Sequence, residues 1–141
     1  MFVLDTDHLT LLEQGRSVES DRLRARLAGE ADRDVAVTII SFEEQTRGWL
    51  AYLARARSLP HQVAAYAKLR RMVANYHRIP MLDFDTTASV EFQRLMRSRL
   101  RIGTMDLKIA AIVLAHDATL VTRNLIDFRK VPGLHVEGWT T

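Results

Sequence analysis

Near the start of the sequence lies Phe2-Val3-Leu4-Asp5-Thr6-Asp7, in which three apolar residues are followed by an acid, a threonine and a second acid. A short apolar run of this kind is typical of a strand buried in a parallel sheet, and we interpret residues 2–5 as the first strand. A helix is predicted to start at Asp7, because an aspartate side chain can accept hydrogen bonds from the free N–H groups of a first helical turn. Asp5 has no such local role and becomes a candidate functional residue.

The alternation of strand and helix continues along the chain. A β-branched run at residues 35–40 predicts a second buried strand, and apolar segments at 81–82, 119–122 and 135–136 predict three more. Amphipathic or apolar segments between them predict helices. Strands joined by helices form parallel sheets through right-handed crossovers. The sequence therefore predicts an α/β fold with a central parallel sheet of four or five strands, in a single domain over residues 1–141.

Composition excludes several classes of protein. The 141 residues include no cysteine, which rules out a disulfide scaffold and cysteine-ligated zinc and agrees with a reducing cytosol. The longest purely apolar run, at residues 109–115, is too short to span a membrane, and we expect a cytoplasmic protein without a signal peptide. Twenty basic and 17 acidic side chains give a net charge of +3, which permits a nucleic-acid partner without requiring one.

Acidic side chains recur where the predicted strands end. Asp5 follows the first strand, Glu44 follows the second, and Asp106 lies in the first turn of an apolar helix. Asp127 comes shortly after the strand at 119–122. The carboxyl ends of parallel strands lie at one edge of the sheet, where α/β proteins bind their ligands. We therefore expect these carboxylates to converge on one cleft.

Structural explanations exist for the same acids. Glu44 has the spacing of a capping box with Ser41, and Glu43 is the alternative ligand if the helical phase is shifted by one residue. The helix dipole favours Asp106 in a first turn by about 0.3–1 kcal/mol. The joint occurrence of the acids at corresponding positions favours a common site over a set of independent structural roles.

A cluster of carboxylates is the ligand set that Mg²⁺ requires. The ion prefers oxygen ligands and keeps several waters, so a few acids and a substrate phosphate complete its coordination. It relieves repulsion among the acids, lowers the pKa of a bound water and neutralises charge on the phosphate. Arg123 and Arg129 are placed to hold a polyanionic substrate. These residues predict metal-dependent hydrolysis of a phosphodiester.

Four segments of the chain resemble the PIN-domain ribonucleases, in order and with similar spacing. They lie at residues 2–7, 39–48, 102–111 and 120–128. The last segment, with the Val131-Pro132-Gly133-Leu134 that follows it, is similar to the VapC-type toxins. The resemblance implies a three-layer α/β/α sandwich and an endoribonuclease that depends on Mg²⁺ or Mn²⁺.

Carried over by position, the resemblance implies that Asp5, Glu44 and Asp106 are the principal metal-binding and catalytic acids. Glu44 is preferred to Glu43 because the glutamate of the family lies four residues before the glycine matched by Gly48.

The fourth position of the acidic set stays open. Some members of the family carry an aspartate at the position of Asn124, whereas others use the acid just before the phenylalanine, which is Asp127 here. We favour Asp127, because Asn124 is neutral. The resemblance also implies an RNA substrate, a homodimer and a cognate VapB-type antitoxin, which often docks near the helices matching residues 42–57 and 60–77.

Two other functions compete with this interpretation. Haloacid-dehalogenase-like phosphatases also place Asp-x-Asp after a first strand, which would make Asp5 a nucleophile and Asp7 an acid–base. Leu9 stands where that family expects threonine or valine. The other alternative is a PIN-like binding or regulatory module without catalysis, against which the retained acids argue.

Overall fold

The computed structural model describes all 141 residues, which form five strands and seven α-helices. The strands are β1 (Phe2–Leu4), β2 (Val35–Thr38), β3 (Met81–Leu82), β4 (Thr119–Val121) and β5 (His135–Glu137). The helices are α1 (Thr6–Glu13), α2 (Val18–Ala28), α3 (Ile39–Arg55), α4 (Leu59–Arg78), α5 (Thr86–Arg97), α6 (Thr104–Ala115) and α7 (Leu125–Phe128). A short 3-10 turn at Asp32–Asp34 precedes β2.

The five strands form one sheet in the order β3-β2-β1-β4-β5, and every pairing is parallel. The predicted parallel sheet is therefore confirmed, with five strands. From β1 the chain builds one half of the sheet through β2 and β3, and then returns to the other side of β1 to add β4 and β5. The strand order reverses between β1 and β4, and a crevice at the carboxyl ends of two such strands is the usual ligand site of this architecture.

Neighbouring residues of each strand belong to two different hydrophobic cores. Val3 of β1 and Leu120 of β4 pack in the core that contains α5 and α6. Leu4 and Val121, the next residues along, pack in the core that contains α1 and α2. Successive side chains of a strand point to opposite faces, so both faces of the sheet are covered by helices. The three-layer α/β/α sandwich is confirmed.

Helix α6 is the most deeply buried helix of the molecule, as its apolar composition predicts. All five residues from Ile109 to Val113 are 0 % exposed. Burial of this helix holds its first turn, which carries Asp106, at the carboxyl edge of the sheet. None of the helices combines the length and the apolar character needed to cross a membrane.

Two predicted helix starts are wrong. The cap of α1 is Asp5 and not Asp7, because Oδ1 of Asp5 accepts a 2.8 Å hydrogen bond from the N–H of Thr6. The second strand ends at Thr38, whose hydroxyl accepts a 3.1 Å hydrogen bond from the N–H of Ser41 and so starts α3. The β-branched residues after Thr38 are therefore helical, since the cap and the burial of Ile40 outweigh their strand propensity. Ser41 and Glu44 form no capping box.

Candidate active site

Asp5 lies at the carboxyl end of the central strand β1 and is only 5 % exposed. Both of its carboxylate oxygens accept hydrogen bonds. The N–H of Thr6 donates to Oδ1 at 2.8 Å, and the hydroxyl of Thr122 donates to Oδ2 at 2.9 Å. Thr122 directly follows β4, so this bond spans the crevice where the strand order reverses. The two bonds hold the carboxylate in one orientation.

Glu44 is held by a chain of hydroxyl groups. The hydroxyl of Thr6 donates a 2.9 Å hydrogen bond to Oε1 of Glu44. The same Thr6 oxygen lies 2.9 Å from Oγ of Ser41, which donates to it because the single Thr6 proton is already used. Thr6 therefore links the cap of α1 to the carboxylate on α3. The other oxygen of Glu44, Oε2, has no hydrogen-bond partner within the protein.

Asp106 lies in the first turn of α6, half-buried, and its side chain makes no hydrogen bond or ion pair within the protein. Burial raises the pKa of Asp106, and the charges of Asp7 and Asp127 raise it further. Burial also raises the pKa of Glu44, with smaller contributions from Asp106 and Asp7 opposing the hydrogen bond from Thr6. The carboxylates of α3 and α6 therefore act on each other.

The pKa of Asp5 is raised to about 6, mainly by burial. The hydrogen bonds from Thr122 and Thr6 lower it, and the charges of Asp106 and Asp7 raise it. The charge of Asp106 thus raises the pKa of both Asp5 and Glu44 at the carboxyl edge of the sheet. Such repulsion in a partly buried cleft is what a bound cation relieves.

Asp127 lies further out, on the short helix α7. Its Oδ2 accepts a 2.9 Å hydrogen bond from Nδ2 of Asn124, and its Oδ1 lies 3.0 Å from Nζ of Lys130. Asn124 is also the N-cap of α7. The bonds from Asn124 and Lys130 lower the pKa of Asp127. Asp127 therefore affects the other acids only through its charge, which raises the pKa of Asp106. Both of its carboxylate oxygens contact neighbouring side chains.

The two candidate arginines differ in position. Arg123 is exposed and lines a cavity with Asp7 and Asn124, next to the crevice. Arg129 is exposed at the C-terminal end of α7. Neither guanidinium makes an ion pair or hydrogen bond within the protein. Arg123 thus lies next to the acids, whereas Arg129 is the residue at which α7 ends.

A groove of about 400 Å³ leads away from the acids along α3. It begins at Thr6 and Glu44 and continues past Trp49 to Tyr52 and Arg55. Aromatic and basic side chains therefore line the approach to the carboxylates. This composition suits a polyanionic chain with stacked bases, or a peptide with apolar and acidic residues.

Carboxylate oxygens are the donors that a hard divalent cation prefers. No group of three or more His, Asp and Glu side chains is arranged as a ready-made metal site. Oε2 of Glu44 and both oxygens of Asp106 are nevertheless free of protein partners, in a cleft where the acids repel each other. Mg²⁺ keeps several of its waters, so it suits carboxylates that it reaches partly through water. The residues present fit such an ion.

The sequence prediction missed three hydroxyl residues of the site, Thr6, Ser41 and Thr122. They position the carboxylates and have no charge to draw attention. One signal was available, because Thr122 directly follows β4 as Asp5 directly follows β1. Polar residues at the ends of adjacent parallel strands are candidates for direct contact.

Comparison with known proteins agrees with this geometry. The family model described as the PIN domain matches residues 2–134 of the chain. The chain belongs to the PIN domain family. The predicted family membership is therefore confirmed, and it argues against the phosphatase alternative.

Two curated relatives of this PIN domain are similar over part of their length. Ribonuclease VapC2 of Rickettsia felis is 35% identical over 66 residues, which cover 44% of this chain and 49% of the relative. The tRNA(fMet)-specific endonuclease VapC of Salmonella typhimurium is 32% identical over 66 residues, which cover 44% of this chain and 50% of the relative. The chain spans about half the length of the curated relatives it matches.

Solved structures share the whole fold of this PIN domain. VapBC-1 from nontypeable Haemophilus influenzae has a TM-score of 0.77 at 20% identity, covering 99% of this chain and 98% of that chain. VapBC2 from Rickettsia felis, bound to a DNA fragment from its promoter, has a TM-score of 0.72 at 23% identity, covering 98% of each chain. At these identities the likeness shows the fold.

Proposed function

We propose that this PIN domain is a divalent-metal-dependent endoribonuclease, and that it is the toxin of a VapBC-type toxin–antitoxin pair. The observation that carries the proposal is the placement of three acids at the carboxyl edge of the sheet. Thr6 hydrogen-bonds to both Asp5 and Glu44. Asp106 lies in the first turn of α6, where its charge acts on both of these acids. The printed names of two relatives, a ribonuclease and a tRNA(fMet)-specific endonuclease, support RNA as the substrate.

In this proposal Asp5, Glu44 and Asp106 hold Mg²⁺, with Mn²⁺ as a substitute. When bound, the ion supplies an activated water and neutralises charge on the scissile phosphate. Thr122 and Thr6 orient Asp5 by the two hydrogen bonds described above, and Thr6 orients Glu44. Binding of a cation by these carboxylates would relieve the repulsion between their charges.

Asp127 is our proposed fourth acid, and Asn124 is then the residue that positions it. This division of roles follows from the bond between them and from the charge that Asp127 exerts on Asp106. Arg123 and, further out, Arg129 bind phosphates of the RNA on the two sides of α7.

The partners proposed for the chain are a cognate VapB-type antitoxin and a second copy in a homodimer, in the cytoplasm. Two surfaces support such contacts. One is the groove along α3. The other is the outer face of α4, where Leu59, Val63 and Tyr66 are 74%, 69% and 59% exposed. Apolar side chains spaced along one helix face are suited to an interface between proteins.

The test is cleavage of RNA by the purified protein with Mg²⁺, with Mn²⁺ and with EDTA. We expect cleavage that EDTA abolishes, and a loss of more than about 100-fold in Asp5→Asn and in Asp106→Asn, since each removes a metal-binding carboxylate. Asp32→Asn, an exposed acid before β2 at the opposite edge of the sheet, is the matched control and should cleave as the wild type does.

Undiminished cleavage in both site variants would refute the assignment of the acids. Release of phosphate from small phosphomonoesters without RNA cleavage would instead favour a phosphatase. Stable binding of a partner without any cleavage would favour the binding or regulatory module without catalysis.

A further inference from the structure

A second cavity, of about 500 Å³, lies beside the proposed metal site. Its lining residues are Asp7, Thr10, Leu11, Gln14, Arg123 and Asn124. One wall comes from α1 and the other from the segment that follows β4. Asp7 is two residues from Asp5, and Arg123 follows Thr122, which hydrogen-bonds to Asp5. The cavity is therefore a direct neighbour of the central carboxylate.

Three of the lining side chains have no partner within the protein. The carboxylate of Asp7, the amide of Gln14 and the guanidinium of Arg123 make no hydrogen bond and no ion pair, and all three are exposed. The other polar side chains are engaged elsewhere. Asn124 caps α7, and Oγ1 of Thr10 accepts a 3.4 Å hydrogen bond from Gln45. The cavity is thus lined by a carboxylate with two acceptor oxygens (Asp7), an amide that can both donate and accept (Gln14) and a cation (Arg123).

This set of groups matches the polar edge of one nucleobase better than the others. Guanine alone carries two adjacent donors on its Watson–Crick edge, N1–H and N2–H, and a carboxylate offers two acceptors side by side. An amide such as that of Gln14 can donate to O6, next to those donors. Leu11 is the one apolar residue of the lining and is itself buried in the protein. The volume is in the range of about 300–1,000 Å³ that is usual for small-molecule sites.

We propose that this cavity binds a guanine of the RNA substrate at a fixed position from the cleaved phosphate. Asp7 reads the Watson–Crick edge of the base, Gln14 contacts O6, and Arg123 binds the adjoining phosphate. Single-stranded RNA exposes that edge, as a base in a duplex does not. The inference rests on the proposed nuclease function and adds a base preference to it.

The first experiment is cleavage of a pool of RNA of randomised sequence, followed by sequencing of the cut ends. The wild type should show guanine enriched at one fixed position relative to the cut. Asp7→Asn replaces one acceptor by a donor and should lower that enrichment by about five- to hundred-fold, the discrimination expected of one bidentate contact. The enrichment is a ratio within one reaction, so a general loss of rate in the variant does not affect it. Asp32→Asn is the control and should keep the preference.

A second experiment separates this inference from the nuclease function. Binding of a labelled oligouridine, with or without one guanine, is measured by fluorescence anisotropy in EDTA. The wild type should bind the guanine-containing RNA more tightly, and Asp7→Asn should bind both alike. RNA that is cut without base preference, or a preference that Asp7→Asn keeps, overturns the guanine site and leaves the nuclease. Guanine-dependent binding without any cleavage overturns the nuclease and supports the site.

Discussion

The hydroxyl of Thr122 donates a 2.9 Å hydrogen bond to Oδ2 of Asp5, a residue 117 positions away in the sequence. Both residues are buried, and each directly follows one of the two strands between which the strand order reverses. The bond is therefore a direct connection between the topology of the sheet and the chemistry of the site. It holds the central carboxylate in one orientation.

Replacing Thr122 by valine keeps the shape of the side chain and removes the donor. We expect the pKa of Asp5 to rise above its value of about 6, because the bond from Thr122 favours the charged form. RNA cleavage should fall by about 10- to 100-fold, the usual effect of losing a group that orients a metal ligand, and its dependence on pH should move to higher pH. Thr119→Val, at the other end of β4, is the matched control. An unchanged rate and pH profile would show that Thr122 does not act through Asp5.

Asp5→Asn should stabilise the metal-free protein while it abolishes activity. The raised pKa of Asp5 means that the folded state holds its proton more tightly than the unfolded state does. The contribution of Asp5 to stability is therefore present below its ordinary pKa of 3.8 and is lost as the pH rises through about 6. At pH 7 in EDTA, urea unfolding should show the variant to be more stable by about 1–3 kcal/mol, and the difference should shrink toward pH 4. A variant that is less stable at pH 7 would contradict this.

His8 on α1 should make the opposite contribution. It is 0 % exposed, and neither ring nitrogen has a hydrogen-bond partner. Burial lowers its pKa to about 4, against the ordinary 6.5, and the charge of Arg123 adds to the effect while that of Asp7 opposes it. Between about pH 6.5 and 4, His8 is protonated in the unfolded chain but stays neutral in the folded protein. The free energy of unfolding therefore falls as the pH falls through this range.

His8→Leu has a similar volume and leaves no buried polar atom without a partner. We expect it to stabilise the protein by about 1–3 kcal/mol at pH 7, with a larger advantage at pH 5. Urea unfolding in EDTA at the two pH values measures this, with the exposed His61→Leu as control. An advantage that does not grow at lower pH would mean that His8 is hydrogen-bonded or charged in the folded protein.

Asp127→Asn tests the fourth acid. It keeps a side chain of the same shape and removes the charge that acts on Asp106. If Asp127 helps to hold the ion, the Mg²⁺ concentration for half-maximal cleavage should rise by about 10- to 100-fold, with a smaller change at saturating Mg²⁺. Asp83→Asn, an exposed acid outside the site, is the control. An unchanged Mg²⁺ requirement would show that Asp127 does not help to hold the ion and that Asp5, Glu44 and Asp106 hold it without a fourth acid.

Local patterns in the sequence predicted most of the fold. Strand β3 and the buried helix α6 lie where their apolar residues predict, because each pattern reflects burial of one short segment. The errors fell at helix starts. Thr38 ends its strand and caps α3 within a β-branched run. The hydrogen bond that its hydroxyl accepts from the N–H of Ser41, together with the burial of Ile40, outweighs the strand propensity of the two residues after it.

The acids of the candidate site were also visible in the sequence, since they recur where the predicted strands end. The structure gives Asp5 a local role as well, because it is the N-cap of α1. The hydroxyl partners of the acids were not visible. Thr6 contacts Glu44 across 38 positions, and Thr122 contacts Asp5 across 117. Strand order and register decide these pairs, and both depend on how distant segments pack together. The local sequence pattern therefore predicts that each carboxylate lies at the edge of the sheet. Which hydroxyl hydrogen-bonds to it is determined by the packing of segments that are distant in the sequence.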